Sequence, residues 1–233
     1  MNLDDARQKL IVAFDVPDLS SALELDHRLG DEIGWVKIGL ELFIAEGPPV
    51  VTAFRERGRR VFLDLKLHDI PNTVAGAVRS ASRLGVDLLT VHAEGGPSMM
   101  RAAAEARANT RLNLLAVTVL TSLDGNEYPG VYGSGVEDRV LAFAEAAVEA
   151  GMDGIVASPR ELPKLVAFVP SDFTRVIPGI RPAGGSTDDQ ARVATPRAAL
   201  IAGATHLVVG RPITQAKDPA QAARAILEEM AGN

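Results

Sequence analysis

Cysteine is absent from the 233 residues, which excludes disulfides, zinc–thiolate sites and a thiol nucleophile and fits a reducing, cytoplasmic setting. Aromatic residues make up only 4% and the formal charge is -6, with a pI near 5.3. Neither the stacking surface nor the basic face that nucleic acids and anionic membranes demand is on offer. No apolar run reaches the ~18–20 residues of a membrane span. The opening MNLDDARQKL sets acids ahead of any apolar stretch, unlike a basic-then-hydrophobic export leader. Long Gly/Ser or Pro-rich linkers are missing as well, so the expectation is one domain over residues 1–233, without nucleic-acid or membrane partners. The four histidines, His27, His68, His92 and His206, form neither HxH nor HExxH, and a histidine metal site lacks its pattern. His27 reads as solvent-facing helix, and His68 and His92 as residues that order loops through hydrogen bonds.

What the chain does contain is a repeat of short apolar runs, each followed by a longer segment of helical period, the mark of βα units over a parallel sheet. Eight such runs stand at 10–16, 35–39, 61–66, 88–93, 112–120, 154–158, 175–180 and 206–211, and residues 136–150 form a clear amphipathic helix. The runs are almost continuously apolar, as strands covered on both faces are. Eight units in this length point to an α/β fold of the (β/α)₈ barrel class, a TIM barrel, whose chemistry sits at the C-terminal strand ends.

Polar exceptions at those ends are therefore the candidate site. In VFLDLKLHDIPNT, Asp64 and Lys66 stand two apart in an apolar strand, on one face by the period of two. Asp69 follows, and Pro71 can open the next helix. Lys37, in the run WVKIG, is placed to meet Asp64 across the barrel mouth. An alternating Lys37, Asp64, Lys66, Asp69 array would keep Lys66 an ammonium ion, a proton donor rather than a Schiff-base amine. The plainer readings are a structural ion pair for Asp64 and Lys66 and a surface lysine for Lys37.

A second constellation lies in the last two units, VIPGIRP and HLVVGRPI. The loops after strands 7 and 8 of many such barrels bind phosphate. Gly210 allows close approach of a backbone N–H, Arg211 supplies a forked cation, and Arg181 and Gln190 bracket a glycine-bearing stretch, 181–189, that reads as a mobile lid. A rim salt bridge is the structural alternative for Arg211. Thr121 and Ser122 end another run with hydroxyls that can meet a heterocycle edge or local backbone. Asp15 closes the first run, to accept from sugar hydroxyls or to cap the helix near 18–20.

From FDVPD through VKIG, DLKLHDIPNT, LTS and PGIRP to VVGRPIT, the chain resembles the orotidine 5′-phosphate decarboxylase family along nearly its whole length. The resemblance implies cofactor- and metal-free decarboxylation of orotidine 5′-monophosphate to UMP, the final step of pyrimidine nucleotide biosynthesis. It also implies a homodimer with shared active sites. Lys37, Asp64 and Lys66 would come from one subunit, and Asp69 with Thr73 from the other. Asp15 and Lys37 would hold the ribose, Thr121 and Ser122 the pyrimidine, and Gln190, Arg181, Gly210 and Arg211 the phosphate end. Two other readings remain in view. One is a magnesium-dependent sugar-phosphate decarboxylase on the same scaffold, opposed by a cation at Lys37 where such relatives carry an acid. The other is a catalytically silent phosphate-binding barrel, which would need neither Lys66 nor its aspartates.

Overall fold

The computed structural model describes residues 1–108, 110–121, 135–182 and 193–232. Eight parallel strands close into a barrel in sequence order: β1 (Leu10–Ala13), β2 (Trp35–Ile38), β3 (Arg60–Leu67), β4 (Leu88–His92), β5 (Asn113–Val117), β6 (Gly154–Val156), β7 (Thr174–Ile177) and β8 (His206–Val209). Closure is made by β1 pairing with β8, Leu10 opposite Leu207 and Val12 opposite Val209. Helices fill the connections, as right-handed βα crossovers require. Residues 136–150, expected as helix, form the helix Val136–Glu149.

Because side chains alternate along a strand, each strand has an inward and an outward lane. The outward lane (Leu10, Val12, Val36, Ile38, Val61, Leu63, Leu207, Val209) joins the helices in one large apolar core. The inward lane packs Ile11, Ala13, Trp35, Phe62, Leu88, Leu115, Val176 and Val208 into a second, smaller cluster inside the barrel. The interior is therefore a packed plug. Gly154 belongs to this economy of space: a Cβ there would run into the Thr174 carbonyl and the Leu115 side chain. Among the described residues, no helix is long and apolar enough to cross a membrane.

Helix starts follow local chemistry. Asp18 caps Leu19–Leu29, its carboxylate accepting from Ser21 N–H at 2.7 Å, and Pro71 opens Pro71–Leu84, where a missing N–H costs nothing. Apart from β3, which outruns 61–66 by one residue at each end, the strands are shorter than the apolar runs that announce them. The first ends at Ala13 rather than 16, the fifth at Val117 rather than 120, and the eighth at Val209, with Arg211 already opening the helix Arg211–Thr214. Apolar character continues past the last ladder bond because the tails still pack; Val119 is buried without belonging to a strand.

Candidate active site at the C-terminal mouth of the barrel

Continuing each inward lane one step beyond the apolar plug gives the site. On β1 the lane runs Ile11, Ala13, Asp15; on β2, Trp35, Lys37; on β3, Phe62, Asp64; after β8, Val208, Gly210. Asp15, Lys37, Asp64 and Gly210, with Lys66, Thr121, Arg181 and Arg211, line a cavity of about 260 Å³ whose apolar floor includes Ala13, Phe62, Val117 and Val208. Charges at the wall and hydrocarbon at the floor match a small ligand with an apolar part and polar, charged groups.

The charged wall is one connected array. Lys37 Nζ lies 2.9 Å from Asp15 Oδ1 and 3.6 Å from Asp64 Oδ2. Lys66 Nζ donates to both oxygens of Asp64, at 2.9 and 2.8 Å. Thr90, wholly buried on β4, donates to Asp64 Oδ1 at 2.9 Å and accepts from the Lys66 backbone N–H at the same distance. Burial on its own would raise the pKa of Asp64. The charges of Lys37 and Lys66, with hydrogen bonds from Lys66 and Thr90, outweigh it and hold the carboxyl below its ordinary 3.8. Asp64 is thus an anion between two cations.

Asp64 and Lys66 do not meet through regular strand alternation. Lys66 has φ 49°, the left-handed region that side chains avoid. Between Leu63 and Leu67 the register with β4 slips: β3 advances four residues while β4 advances two, from Leu89 to Val91. The bulge turns Lys66 back over Asp64, as bulges beside active sites do.

Asp69 does not join the array within the chain. It is exposed, and its carboxylate accepts from the Ile70 backbone N–H at 2.6 Å. Thr73 is exposed on the first turn of Pro71–Leu84, beside Ile70, a large apolar residue 67% exposed. Asp15 pairs with Lys37 rather than capping the following helix, which Asp18 caps. Arg181 is buried beside the cavity and donates to its neighbour's carbonyl, Ile180 O, at 3.0 Å. Gly210 has φ -110°, and a Cβ there would meet only ordinary contacts with Ala13 and Asp15, so space is not what a side chain would lack. Ser122, Gln190 and the expected lid from 183 onward lie outside the described residues. His68 and His92 stack at 5.5 Å, and the buried His92 Nδ1 has no hydrogen-bond partner among the described residues. Desolvation by burial, opposed by Glu94 and aided by His68 and Lys66, lowers the His92 pKa.

Sequence reasoning missed two members of this neighbourhood. Thr90 is a lone hydroxyl in the apolar run LLTVH, and that interruption was the available signal. Gly39 follows β2 in extended backbone, and a Cβ there would stand 3.1 Å from Lys37 Nζ and 3.2 Å from Asp15 Oδ1.

Comparison with known proteins sharpens this geometry. A sequence profile described as orotidine 5′-phosphate decarboxylase / HUMPS family matches residues 8–226. A curated orotidine 5′-phosphate decarboxylase of Moorella thermoacetica is 52% identical over 234 residues, covering 97% of this chain and 93% of that protein. One of Rhodopseudomonas palustris strain BisB5 is 50% identical over 226 residues, covering 97% and 95%. Among solved structures, the orotidine 5′-phosphate decarboxylase of Lactobacillus acidophilus superposes with a TM-score of 0.84 at 37% identity, covering 95% of this chain and 98% of that one. An uncharacterized conserved protein of Geobacillus kaustophilus superposes at 0.81 and 34% identity, covering 95% and 99%.

Proposed function

This chain belongs to the orotidine 5′-phosphate decarboxylase / HUMPS family, and on that premise we propose that it converts orotidine 5′-monophosphate to UMP and CO₂, the decarboxylation that completes de novo UMP synthesis. The observation that carries the reading is the Asp64 carboxylate clasped by Lys66 and Lys37 at the head of a cavity with an apolar floor.

The reaction breaks the C6–carboxyl bond, CO₂ departs, and the electron pair stays on C6 in the plane of the pyrimidine ring, where the π-system delocalises it poorly. Stabilisation must then be electrostatic and preorganised. The Lys66 ammonium, held by both Asp64 oxygens, supplies that field and gives its proton to C6. Asp64 keeps Lys66 charged and fixed. Asp15 and Lys37, paired at 2.9 Å, face the ribose hydroxyls. Arg181, Gly210 and Arg211 serve the phosphate end and Thr121 the pyrimidine, and the family resemblance gives Gln190 and Ser122 the same two roles. Phosphate binding remote from C6 lowers the barrier when it drives closure over the site.

The working unit in this reading is a homodimer. The exposed Asp69 and Thr73, beside the exposed Ile70, each serve the cavity of a second copy. The cysteine-free composition supports a cytoplasmic enzyme, and its acidic balance supports a small-molecule rather than nucleic-acid partner. The relatives' names and the cation at Lys37 support this activity over the magnesium-dependent sugar-phosphate reaction.

The test follows the ultraviolet change from orotidine 5′-monophosphate to UMP in chelator-containing buffer, with Lys66→Ala alongside. Rapid turnover by the wild type and its abolition in the variant are expected. No turnover by a folded dimer, or activity that returns only with magnesium, would overturn the assignment.

A further inference from the structure

Thr90 stands in the inward lane of β4, one step above Leu88, beside Asp64, which stands one step above Phe62 in the lane of β3. It is covered completely, and it lies behind the residues that line the cavity. Its hydroxyl has one proton and accepts through its lone pairs. The proton goes to Asp64 Oδ1, and a lone pair receives the Lys66 N–H, each at 2.9 Å.

That N–H needs a partner because of the bulge. Where β3 takes four steps to two on β4, a ladder carbonyl is replaced by a side chain. Thr90 is the residue in the middle of the two β4 steps, so its own position fixes where the slip occurs. Without the hydroxyl, the half-buried backbone donor of Lys66, a residue already in the left-handed region, would lose its partner. A second loss would follow at the carboxylate, which would keep its two lysines but lose the donor from β4 that helps fix its plane.

We propose, building on the decarboxylase reading, that Thr90 is a positioning residue that sets the backbone of Lys66 and the carboxylate plane of Asp64 through one hydroxyl. It touches no substrate. Its effect is on the direction from which the Lys66 ammonium approaches the reacting carbon, so it acts on kcat and leaves KM largely alone.

Thr90→Val keeps the shape and deletes the hydroxyl; Thr90→Ser keeps the hydroxyl and deletes a methyl. We expect Thr90→Val to lower kcat about 30–100-fold, at or below the lower end of the range for loss of one preorganised donor because Thr90 acts through Lys66 and Asp64, with KM within about threefold. Thr90→Ser should stay within about fivefold of wild type, because the hydrogen bonds survive and only rotamer restriction is lost. The acid limb of the kcat/KM profile should move to higher pH in Thr90→Val, since a hydrogen bond favouring ionised Asp64 is gone. A structural filler would not move that limb. Where Thr90→Val does not fold, Thr90→Cys keeps the volume with a weak donor, and a rate between those of Thr90→Ser and Lys66→Ala is expected.

Wild-type kcat and an unmoved acid limb in Thr90→Val would overturn the proposal, as would Thr90→Ser as slow as Thr90→Val. If the wild type fails to decarboxylate orotidine 5′-monophosphate, the decarboxylase reading falls, and carbon-13 titration of the Asp64 carboxyl in both proteins still decides the role of Thr90. A higher midpoint in Thr90→Val supports positioning, and coincident curves refute it.

Discussion

His206 meets the indole of Trp35 edge-on, ring centroids 5.5 Å apart, at the N-terminal end of the barrel and so on the face opposite the ion array. The Arg60 guanidinium lies over the same indole at 3.9 Å. Burial, reinforced by the positive charges of Arg60 and Lys9, lowers the His206 pKa from 6.5 to about 4. The folded value lies below the unfolded one. Between those two pH values the unfolded chain therefore takes a proton that the folded chain refuses. Stability present above pH 6.5 is lost as pH falls and levels off near pH 4, a total on the order of 3 kcal/mol. Thermal midpoints should drop by about 5–10 °C between neutral pH and pH 4.5, and His206→Phe, which retains the edge contact, should flatten the slope. An unchanged slope in that variant would assign the acid sensitivity elsewhere. Asp64, held below 3.8, loses its contribution only at still lower pH.

Gly39 sits against the Lys37–Asp15 pair without a strained backbone, at φ -90°. Gly39→Ala should therefore act by displacement: a methyl 3.1 Å from Lys37 Nζ forces the ammonium or Asp15 to give way. A fall in kcat/KM of roughly tenfold is expected with a thermal midpoint within about 3 °C of wild type. Loss of stability with unaltered kinetics in the surviving fraction would contradict a role at the pair.

Arg211→Ala removes the forked cation from the cavity wall. A charge-assisted contact of about 1.5–3 kcal/mol corresponds to a drop of roughly 10–100-fold in kcat/KM. Circular dichroism should be unchanged, because the residue lies at the mouth and not in either core cluster. Kinetics equal to wild type would remove Arg211 from the phosphate end.

Mixing subunits tests the shared site. Lys66→Ala and Asp69→Ala are each expected to be inactive alone. Exchanged at equal amounts, they should regain about a quarter of wild-type activity, because half the dimers are mixed and each carries one intact site. If Asp69 served its own chain, no mixture would recover.

The eight strands are legible in the sequence because burial on both faces leaves unbroken apolar runs, and Lys37, Asp64 and Lys66 announce themselves as charges inside those runs. Other features depend on distant parts of the chain. The left-handed turn at Lys66 follows from a slip in pairing with β4, which no local pattern encodes, so Thr90 passed as an ordinary strand residue. In FDVPD, two acids compete for one helix start; Asp18 takes the cap because Asp15 is drawn to a lysine 22 positions away. Asp69 carries the right charge in the right loop, yet its carboxylate turns to the Ile70 amide. Strand ends were read too long for a related reason: the packing that keeps Val119 apolar extends beyond the hydrogen-bonded ladder.

Closure through β1 and β8 brings Leu10 beside Leu207, and this divides the assembly of the site in time as the chain leaves the ribosome. Residues 15 to 90 hold the whole aspartate–lysine–threonine cluster, whereas the arginines of the opposite wall arrive only with residues 181 and 211. A nascent chain cut short before β8 would carry Lys66 and its partners on an open sheet with two unpaired edges, prone to pair with other chains. The last strand to be synthesised is thus the one that turns an adhesive intermediate into a closed catalyst.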